Sequence, residues 1–242
     1  MNQFHAGAPG GGNLGFALEA LTNIELRVSE RDEVKDDVGG KWDDDRAQLI
    51  LHVLRRWREL TGCYHMFSAA VHRANPPHIG LASSAALQLT SWIALNYMHG
   101  HPFSDARLRS EMAAAYMEAT PGSGAVPGFT TGLSSFLGLY GGFAVVDDDL
   151  GAVLHVSVPE WSAAVVVPRG LVSMSWGEVE AEALTMDGPR LDHRDRDAKS
   201  AIISDQLIPA VVAGELAAVG RAITQVQSVG SKVAEIAIYV TL

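Results

Sequence analysis

The chain has 242 residues, of which 48% are hydrophobic and 19% are charged, so it holds enough apolar material for one large core or two smaller ones. Its formal net charge of −10 excludes the basic face that a nucleic-acid-binding protein needs. No apolar run approaches the roughly 18 residues that span a bilayer, and the first residues lack the pattern of a signal peptide. We therefore expect a cytoplasmic protein without a membrane partner or a nucleic-acid partner.

The predicted elements of the first half begin after a glycine-rich opening. Glycine and proline punctuate residues 7–13, which excludes a regular element there. Apolar and polar residues alternate over residues 23–28, as in a half-exposed strand, and the acidic residues 29–45 that follow are expected to form a surface loop. Apolar residues at helical spacing predict a helix over residues 47–61, with its arginines on the solvent-facing side.

The rest of the chain mixes strands and helices without the strict βαβ alternation of a doubly wound sheet. Strands are predicted over residues 66–71, 143–146, 152–158, 163–167 and 236–242. Helices are predicted after residue 86 to about residue 98, and over residues 103–120, 198–213 and 215–227. The pattern indicates an α+β protein, and the acidic turn at residues 147–151 separates predicted domains of residues 1–150 and 151–242.

The strongest chemical signal is the stretch Pro-Pro-His-Ile-Gly-Leu-Ala-Ser-Ser-Ala-Ala at residues 76–86. Gly80 permits backbone angles that other residues avoid, and Ser83 and Ser84 are good N-cap residues for the helix that follows. Successive small residues leave backbone N–H groups uncovered at the positive end of a helix dipole, which favours an anion. The simpler interpretation is a capped helix start, but the density of small residues favours phosphate binding. The candidate phosphate-binding residues are His78, Gly80, Leu81, Ala82, Ser83 and Ser84.

This stretch resembles a known phosphate loop. Pro-x-x-x-Gly-Leu-x-Ser-Ser-Ala is the signature of the superfamily of galactokinase, homoserine kinase, mevalonate kinase and phosphomevalonate kinase (GHMP), and residues 76–85 match it. Residues 131–134, followed by residues 140–143, resemble the superfamily's Ser-Gly-hydrophobic-Asp and Gly-Gly segments. Ser134 stands where these kinases have their catalytic aspartate, and a hydroxyl is a poor base and a poor magnesium ligand beside a carboxylate.

One branch of the superfamily lacks that aspartate, the β-ribofuranosylaminobenzene 5′-phosphate synthase family of methanopterin biosynthesis. Segments similar to it lie at residues 10–18, 141–147, 161–168 and 207–227. That family has Gly-Leu-Gly-Ser-Gly-Thr-Gln where this chain reads Gly-Leu-Ala-Ser-Ser-Ala-Ala, which is nearer to the kinases. The resemblance implies a two-domain, GHMP-kinase-like fold, shortened at both ends, with an N-terminal part like ribosomal protein S5 domain 2 and a ferredoxin-like C-terminal part.

The same resemblance implies transfer of a phosphoribosyl group from phosphoribosyl pyrophosphate to 4-aminobenzoate or 4-hydroxybenzoate, with release of diphosphate and carbon dioxide. A GHMP-type small-molecule kinase and a non-catalytic paralogue are the alternatives. Mg²⁺ is the implied cofactor, and a homodimer is compatible with the resemblance. The catalytic candidates are Ser134 and Asp147, the metal ligand is Asp147, and the substrate-binding candidates are Gly11, Gly12, Asn13, Arg73, Thr130 and Thr131. A turn aspartate is the more common explanation of Asp147, and Arg73 is equally typical of a solvated surface arginine.

Overall fold

The computed structural model describes residues 13–19, 21–36, 44–76, 81–120, 124–128, 130–147, 150–166 and 188–233. Strands and helices are mixed throughout them, which confirms the predicted α+β class. The chain divides into two compact units, one made of the described residues between 18 and 140, the other of residues 13–17 and 141–233. The second unit is therefore discontinuous in sequence. The assignment of residues 1–150 and 151–242 to GHMP-type N-terminal and C-terminal domains stays a prediction.

The described elements have the following bounds. The strands are β1 (Asn13–Phe16), β2 (Asn23–Ser29), β3 (Glu33–Asp36), β4 (Met66–Arg73), β5 (Met117–Thr120), β6 (Gly124–Pro127), β7 (Phe143–Val146) and β8 (Ala152–Val156). The helices are α1 (Asp44–Thr61), α2 (Ser83–Met98), α3 (Asp105–Ala114), α4 (Leu133–Tyr140), α5 (Gly188–Arg194), α6 (Arg196–Ala201), α7 (Ile208–Ala213) and α8 (Leu216–Val226). A π-helical segment, Ile202–Leu207, joins α6 to α7.

The unit of residues 18–140 is built on a three-stranded sheet of order β2-β4-β3. β2 runs antiparallel to β4, and β3 runs parallel to it. Helices α1 and α2 supply most of the remaining core, with smaller contributions from α3 and β5, and Trp57, Phe67 and Trp92 are fully buried in it. Burying a large apolar side chain contributes roughly 1.5–3 kcal/mol. The apolar stripe read from the sequence of α1 is therefore the face that holds this unit together.

The other unit contains an antiparallel sheet of order β1-β7-β8. Leu14 and Phe143 of this sheet belong to one buried cluster with Leu207, Val211 and Val226 from the helical region. The predicted strands at residues 143–146 and 152–158 are confirmed as β7 and β8, and the predicted helix at residues 215–227 is confirmed as α8.

Three predicted elements are wrong. The loop expected at residues 29–45 contains β3, whose charged side chains concealed it: Glu33 and Lys35 form an ion pair at 2.8 Å on the strand's surface. The helix expected over residues 103–120 ends at Ala114, and β5 follows it. The alanine-rich sequence favours a helix there, but pairing with β6 stabilises an extended backbone. The strand expected at residues 163–167 is irregular over its described residues 163–166.

Two further predictions lie outside the described residues, the irregular opening before Asn13 and the strand at residues 236–242. Within the described ranges, none of the helices has both the length and the apolar character needed to cross a membrane.

Candidate functional site

The start of α2 lies at the predicted phosphate loop. His78 and Gly80 lie outside the described residues, whereas Leu81, Ala82 and the two serines after them are described. Ala82 is the residue before the helix, with φ 50° and ψ 42°, and its carbonyl oxygen accepts from Ala86 N–H at 2.9 Å. In the part of the chain that the structure describes, no side chain caps the helix, although its first N–H groups have no partner within the helix. Ser83 and Ser84 are buried and form the first turn of the helix, so the prediction that a serine caps it is wrong: Ala82 takes the cap position.

The segment leading into α4 is a tight turn centred on Gly132. Gly132 has φ +76° and donates its N–H to Thr130 Oγ1 at 3.2 Å. Its carbonyl oxygen accepts from Ser135 Oγ at 2.9 Å and from Phe136 N–H at 3.1 Å. Thr130, Thr131 and Ser134, on either side of this turn, are half-buried. Ser134 lies in the first turn of α4.

Two buried arginines in this unit were missed by the sequence analysis. Arg46 lies in the first turn of α1, and its Nη2 donates to the carbonyl oxygen of Asn75 at 2.8 Å. Asn75 lies just before the predicted phosphate loop. Arg109 in α3 lies over the ring of Phe136 at 4.8 Å and reaches the Gly132 carbonyl oxygen at 3.5 Å. Each arginine therefore supports the backbone of one predicted segment. Burial next to a Gly-rich stretch is not visible in the sequence, because both partners lie far away along the chain.

Arg73, the cation that was predicted from the sequence, is exposed at the end of β4. Its backbone lies opposite Asn23 of β2 in the sheet register. The surface interpretation of this side chain fits its exposure, and its substrate-binding role stays a prediction.

Asn13 and Asp147 lie at the same end of the β1-β7-β8 sheet, because Asn13 pairs with Val146 in the register of the two strands. Asn13 is 3% exposed, and its Oδ1 has no hydrogen-bond partner among the described residues. Asp147 is exposed, and its Oδ1 accepts from Gly151 N–H at 2.7 Å. The carboxylate thus closes the turn between β7 and β8. Gly11 and Gly12, predicted to bind substrate beside Asn13, lie outside the described residues.

The polar environment at the C-terminal end of α4 is set by Tyr140. Its hydroxyl donates to Asp105 Oδ2 at 3.1 Å. Partial burial raises the pKa of Tyr140 above its ordinary value, and the neighbouring carboxylate of Asp105 raises it further. Tyr140 is therefore a neutral hydrogen-bond donor at physiological pH and ties α4 to the start of α3.

The described residues do not form a metal site of their own. No three of their His, Cys, Asp or Glu side chains cluster closely enough to hold an ion. Mg²⁺ is commonly held by one or two carboxylates together with substrate phosphates, but the carboxylate of Asp147 is engaged by its turn. The described residues therefore supply no cluster of three ligands for magnesium, and the ion stays a prediction.

Residues 48–132 match the family model described as the GHMP kinases N terminal domain. This span runs from α1 to the turn at Gly132, so it contains both the start of α2 and the residues that enter α4. It leaves Ser134 and the whole of the other unit outside the match. No curated protein sequence is significantly similar to the chain.

Solved structures share the fold at low sequence identity. Homoserine kinase from Cytophaga hutchinsonii superposes with a TM-score of 0.51 and 17% identity over 86% of this chain and 64% of its own. Mevalonate pyrophosphate decarboxylase from Streptococcus pyogenes superposes with a TM-score of 0.51 and 16% identity over 87% of this chain and 62% of its own. Phosphomevalonate kinase from Streptococcus pneumoniae superposes with a TM-score of 0.56 and 13% identity over 93% of this chain and 75% of its own.

The chain therefore spans less than two thirds of the first two of these structures. Identities this low establish the fold rather than the reaction, and the narrower resemblance to the phosphoribosyl-transferring branch stays a prediction. Residues 48–132 are similar to the GHMP kinase N-terminal domain, and the chain has a GHMP-kinase-like fold.

Proposed function

We propose that this protein transfers the phosphoribosyl group of phosphoribosyl pyrophosphate to 4-aminobenzoate or 4-hydroxybenzoate, with decarboxylation, as in tetrahydromethanopterin biosynthesis. The observation that carries the proposal is Ser134. It occupies the first turn of α4. The GHMP kinases that the sequence resembles have a catalytic carboxylate at the matching position. A phosphate-binding helix start without that carboxylate suits a diphosphate leaving group better than phosphoryl transfer to a hydroxyl.

The start of α2 supports the phosphate half of this proposal. Its N–H groups lack a side-chain cap, and the residues around them are small. An anion placed there is stabilised by the N–H donors and by the helix dipole. For a chain with a net charge of −10, such local donors are the means of holding a polyanion.

The proposed reaction needs stabilisation of charge more than a strong base. The bond between the ribose carbon and diphosphate breaks, and its electron pair leaves with the diphosphate. The ring carbon that carried the carboxylate bonds to the ribose carbon, and the electron pair of the broken carbon–carboxylate bond returns to the ring as carbon dioxide departs. Donors preorganised for the leaving diphosphate lower this barrier, and the α2 start would supply them. Thr130, Thr131 and Ser134 would hydrogen-bond the sugar.

Release of two products tests the proposal. Purified protein is incubated with Mg²⁺, phosphoribosyl pyrophosphate and either 4-aminobenzoate or 4-hydroxybenzoate, and diphosphate and carbon dioxide are measured together. We expect both products, formed in step and dependent on the benzoate. Omitting the benzoate controls for simple hydrolysis of the ribosyl donor. Binding of the donor without any turnover would instead indicate a non-catalytic paralogue.

A GHMP-type kinase is the second candidate, and the domain match over residues 48–132 favours it. A kinase would consume ATP in the presence of a sugar, homoserine or mevalonate acceptor and would ignore the ribosyl donor. Ser134→Asp sharpens the comparison, because it supplies the carboxylate that this kinase chemistry uses. We expect the wild-type protein to show no acceptor-dependent ATP consumption. Acceptor-dependent consumption by the wild type would favour the kinase over the proposed transferase.

A further inference from the structure

The buried amide of Gln88 connects two parts of the unit that carries the proposed phosphate site. Gln88 lies in α2 and is 1% exposed. Its Nε2 donates to the carbonyl oxygen of Ser84 at 3.1 Å and to that of Met117 at 2.8 Å. Its Oε1 accepts from Met117 N–H at 3.1 Å. Both N–H groups of the amide are thus used, and so is its oxygen.

The two anchors of this amide have different places in the proposed site. Ser84 belongs to the first turn of α2, which would hold the phosphate. Met117 begins β5 and pairs with Pro127 at the end of β6. Gly128 donates its N–H to the carbonyl oxygen of Tyr116 at 3.0 Å, which continues the pairing just beyond the ends of the two strands, two residues before Thr130. Gln88 therefore connects the start of α2 to the hairpin that precedes residues 130–134 in the chain.

We propose that Gln88 is a positioning residue: it holds the phosphate-binding start of α2 in register with the hairpin leading to residues 130–134. The inference rests on the proposed phosphate site. Loss of the amide would leave the Met117 N–H and C=O groups without this partner in a partly buried place, which is costly. The backbone there would shift to find other partners, and the helix start would shift with it.

A second amide on the same helix provides a matched control. Asn96 is 4% exposed, donates Nδ2 to the Phe103 carbonyl oxygen at 2.9 Å, and accepts from Phe103 N–H at 3.0 Å. This is the same pairing of one amide with both backbone groups of one residue. Asn96 lies near the C-terminal end of α2, and the loop that it holds carries no residue of the proposed site. The two amides therefore differ in what they position.

The first test compares Gln88→Met with Asn96→Leu, two replacements of similar size that remove the amides. Binding of inorganic diphosphate in the presence of Mg²⁺ is measured by calorimetry, and thermal unfolding is measured alongside. We expect both variants to unfold at lower temperature. Gln88→Met should weaken diphosphate binding about tenfold or more, the factor that one lost buried hydrogen bond represents, and Asn96→Leu should change it by less than about twofold. Equal weakening in both variants, or none in Gln88→Met, overturns the inference.

A second variant separates positioning from folding. In Gln88→Glu, the protonated carboxyl can restore the pair of bonds to Met117, one donated and one accepted, whereas the ionised carboxylate cannot donate. Burial raises the pKa of a carboxyl group, so protonation should begin well above the ordinary value of about 4.3. We expect the ratio of its diphosphate affinity to that of the wild type to recover as pH falls from 8 to 5.5. A flat ratio contradicts the proposal, and this variant decides the matter alone if Gln88→Met fails to fold.

The wild-type protein separates this inference from the proposed function. Diphosphate binding without turnover of the ribosyl donor and benzoate would remove the proposed reaction, and the Gln88 comparison would still be decided by binding. A wild type that binds neither diphosphate nor ATP would overturn both the phosphate site and the role of Gln88.

Discussion

Ala82 adopts a backbone conformation that costs an alanine free energy, and it does so at the start of α2. Its φ of 50° lies in the left-handed region, where a side chain with a Cβ costs roughly 1–2 kcal/mol. Among the described non-glycine residues, only His101 and Leu150 share a positive φ. Strain is retained where the surrounding structure needs a particular backbone direction. Ala82 occupies such a position, directly before the first turn of α2.

Ala82→Gly should therefore stabilise the protein. Glycine takes positive φ without a steric penalty and is the better residue before a helix, so we expect a gain of about 0.5–1 kcal/mol in the free energy of unfolding. Ala86→Gly, the same replacement inside α2, should lose a similar amount because glycine is unfavourable in a helix interior. Urea denaturation measures both. Destabilisation by Ala82→Gly would show that the strain has been misassigned.

Asp147 closes its turn through Gly151 N–H, and we predict that the proposed reaction does not depend on this carboxylate. Asp147→Asn keeps an oxygen that can accept from Gly151 N–H, whereas Asp147→Ala removes it. We expect the asparagine variant to match the wild type in stability and in turnover. The alanine variant should lose about 1 kcal/mol in unfolding free energy, the worth of a typical hydrogen bond. Loss of turnover in the asparagine variant would assign Asp147 a role in catalysis.

At the scale of elements, the entry into β7 depends on two successive glycines with positive φ. Gly141 has φ +69° and Gly142 has φ +71°. A Cβ on Gly141 would meet nothing within 4 Å, whereas a Cβ on Gly142 would lie 2.4 Å from the backbone oxygen of Val156. Backbone of the neighbouring strand cannot move aside as a flexible side chain can. The pair therefore separates the conformational cost from the steric one.

Alanine at each of these positions measures the two costs. Gly141→Ala should lower the free energy of unfolding by about 1 kcal/mol, the cost of a positive φ alone. Gly142→Ala should cost clearly more, on the order of 2–3 kcal/mol, because β7 and β8 must also separate. Chemical denaturation gives both values. Equal losses would contradict the close approach of Gly142 to β8.

The junction between α5 and α6 should make the protein sensitive to acid. Asp195 accepts from Arg194 at 2.7 Å and from Gly230 N–H at 3.0 Å, and these bonds lower the pKa of its carboxyl from 3.8 to about 2. A lowered pKa stabilises the fold above the ordinary value, and that stability is lost as pH falls toward 2. We expect wild type to exceed Asp195→Asn in urea midpoint at pH 6, with the difference shrinking between pH 4 and pH 2. A constant difference would contradict this assignment.

The elements that could be predicted from the sequence are those whose pattern is local. The apolar stripe of α1, the run of β4 and the alternation of β2 identify themselves within a few residues. β3 and β5 could not be predicted, because their sequences are charged or typical of helices. β3 is stabilised as a strand by pairing with β4. β5 is stabilised by pairing with β6 and by the amide of Gln88.

At the scale of the whole molecule, the motifs of the proposed site could be predicted from the sequence, whereas the buried side chains that hold its backbone could not. The start of α2 and the Gly132 turn carry recognisable residue patterns. Arg46 and Gln88 each support a backbone group 29 residues away, a relation that no local pattern contains. The sequence also predicted that Asn13 and Asp147 share a site with residues 130–134. These sets belong to different compact units, so their common site stays a prediction.

The central claim is that this protein, which has a GHMP-kinase-like fold and Ser134 in place of a carboxylate, acts on a pyrophosphorylated sugar. The most direct measurement uses 4-aminobenzoate labelled in its carboxyl carbon, with wild-type protein, Mg²⁺ and phosphoribosyl pyrophosphate. The account predicts labelled carbon dioxide in amounts equal to the diphosphate formed, and none when the ribosyl donor is omitted. Diphosphate and labelled carbon dioxide both absent, with ATP consumed in the presence of a small-molecule acceptor, would contradict it.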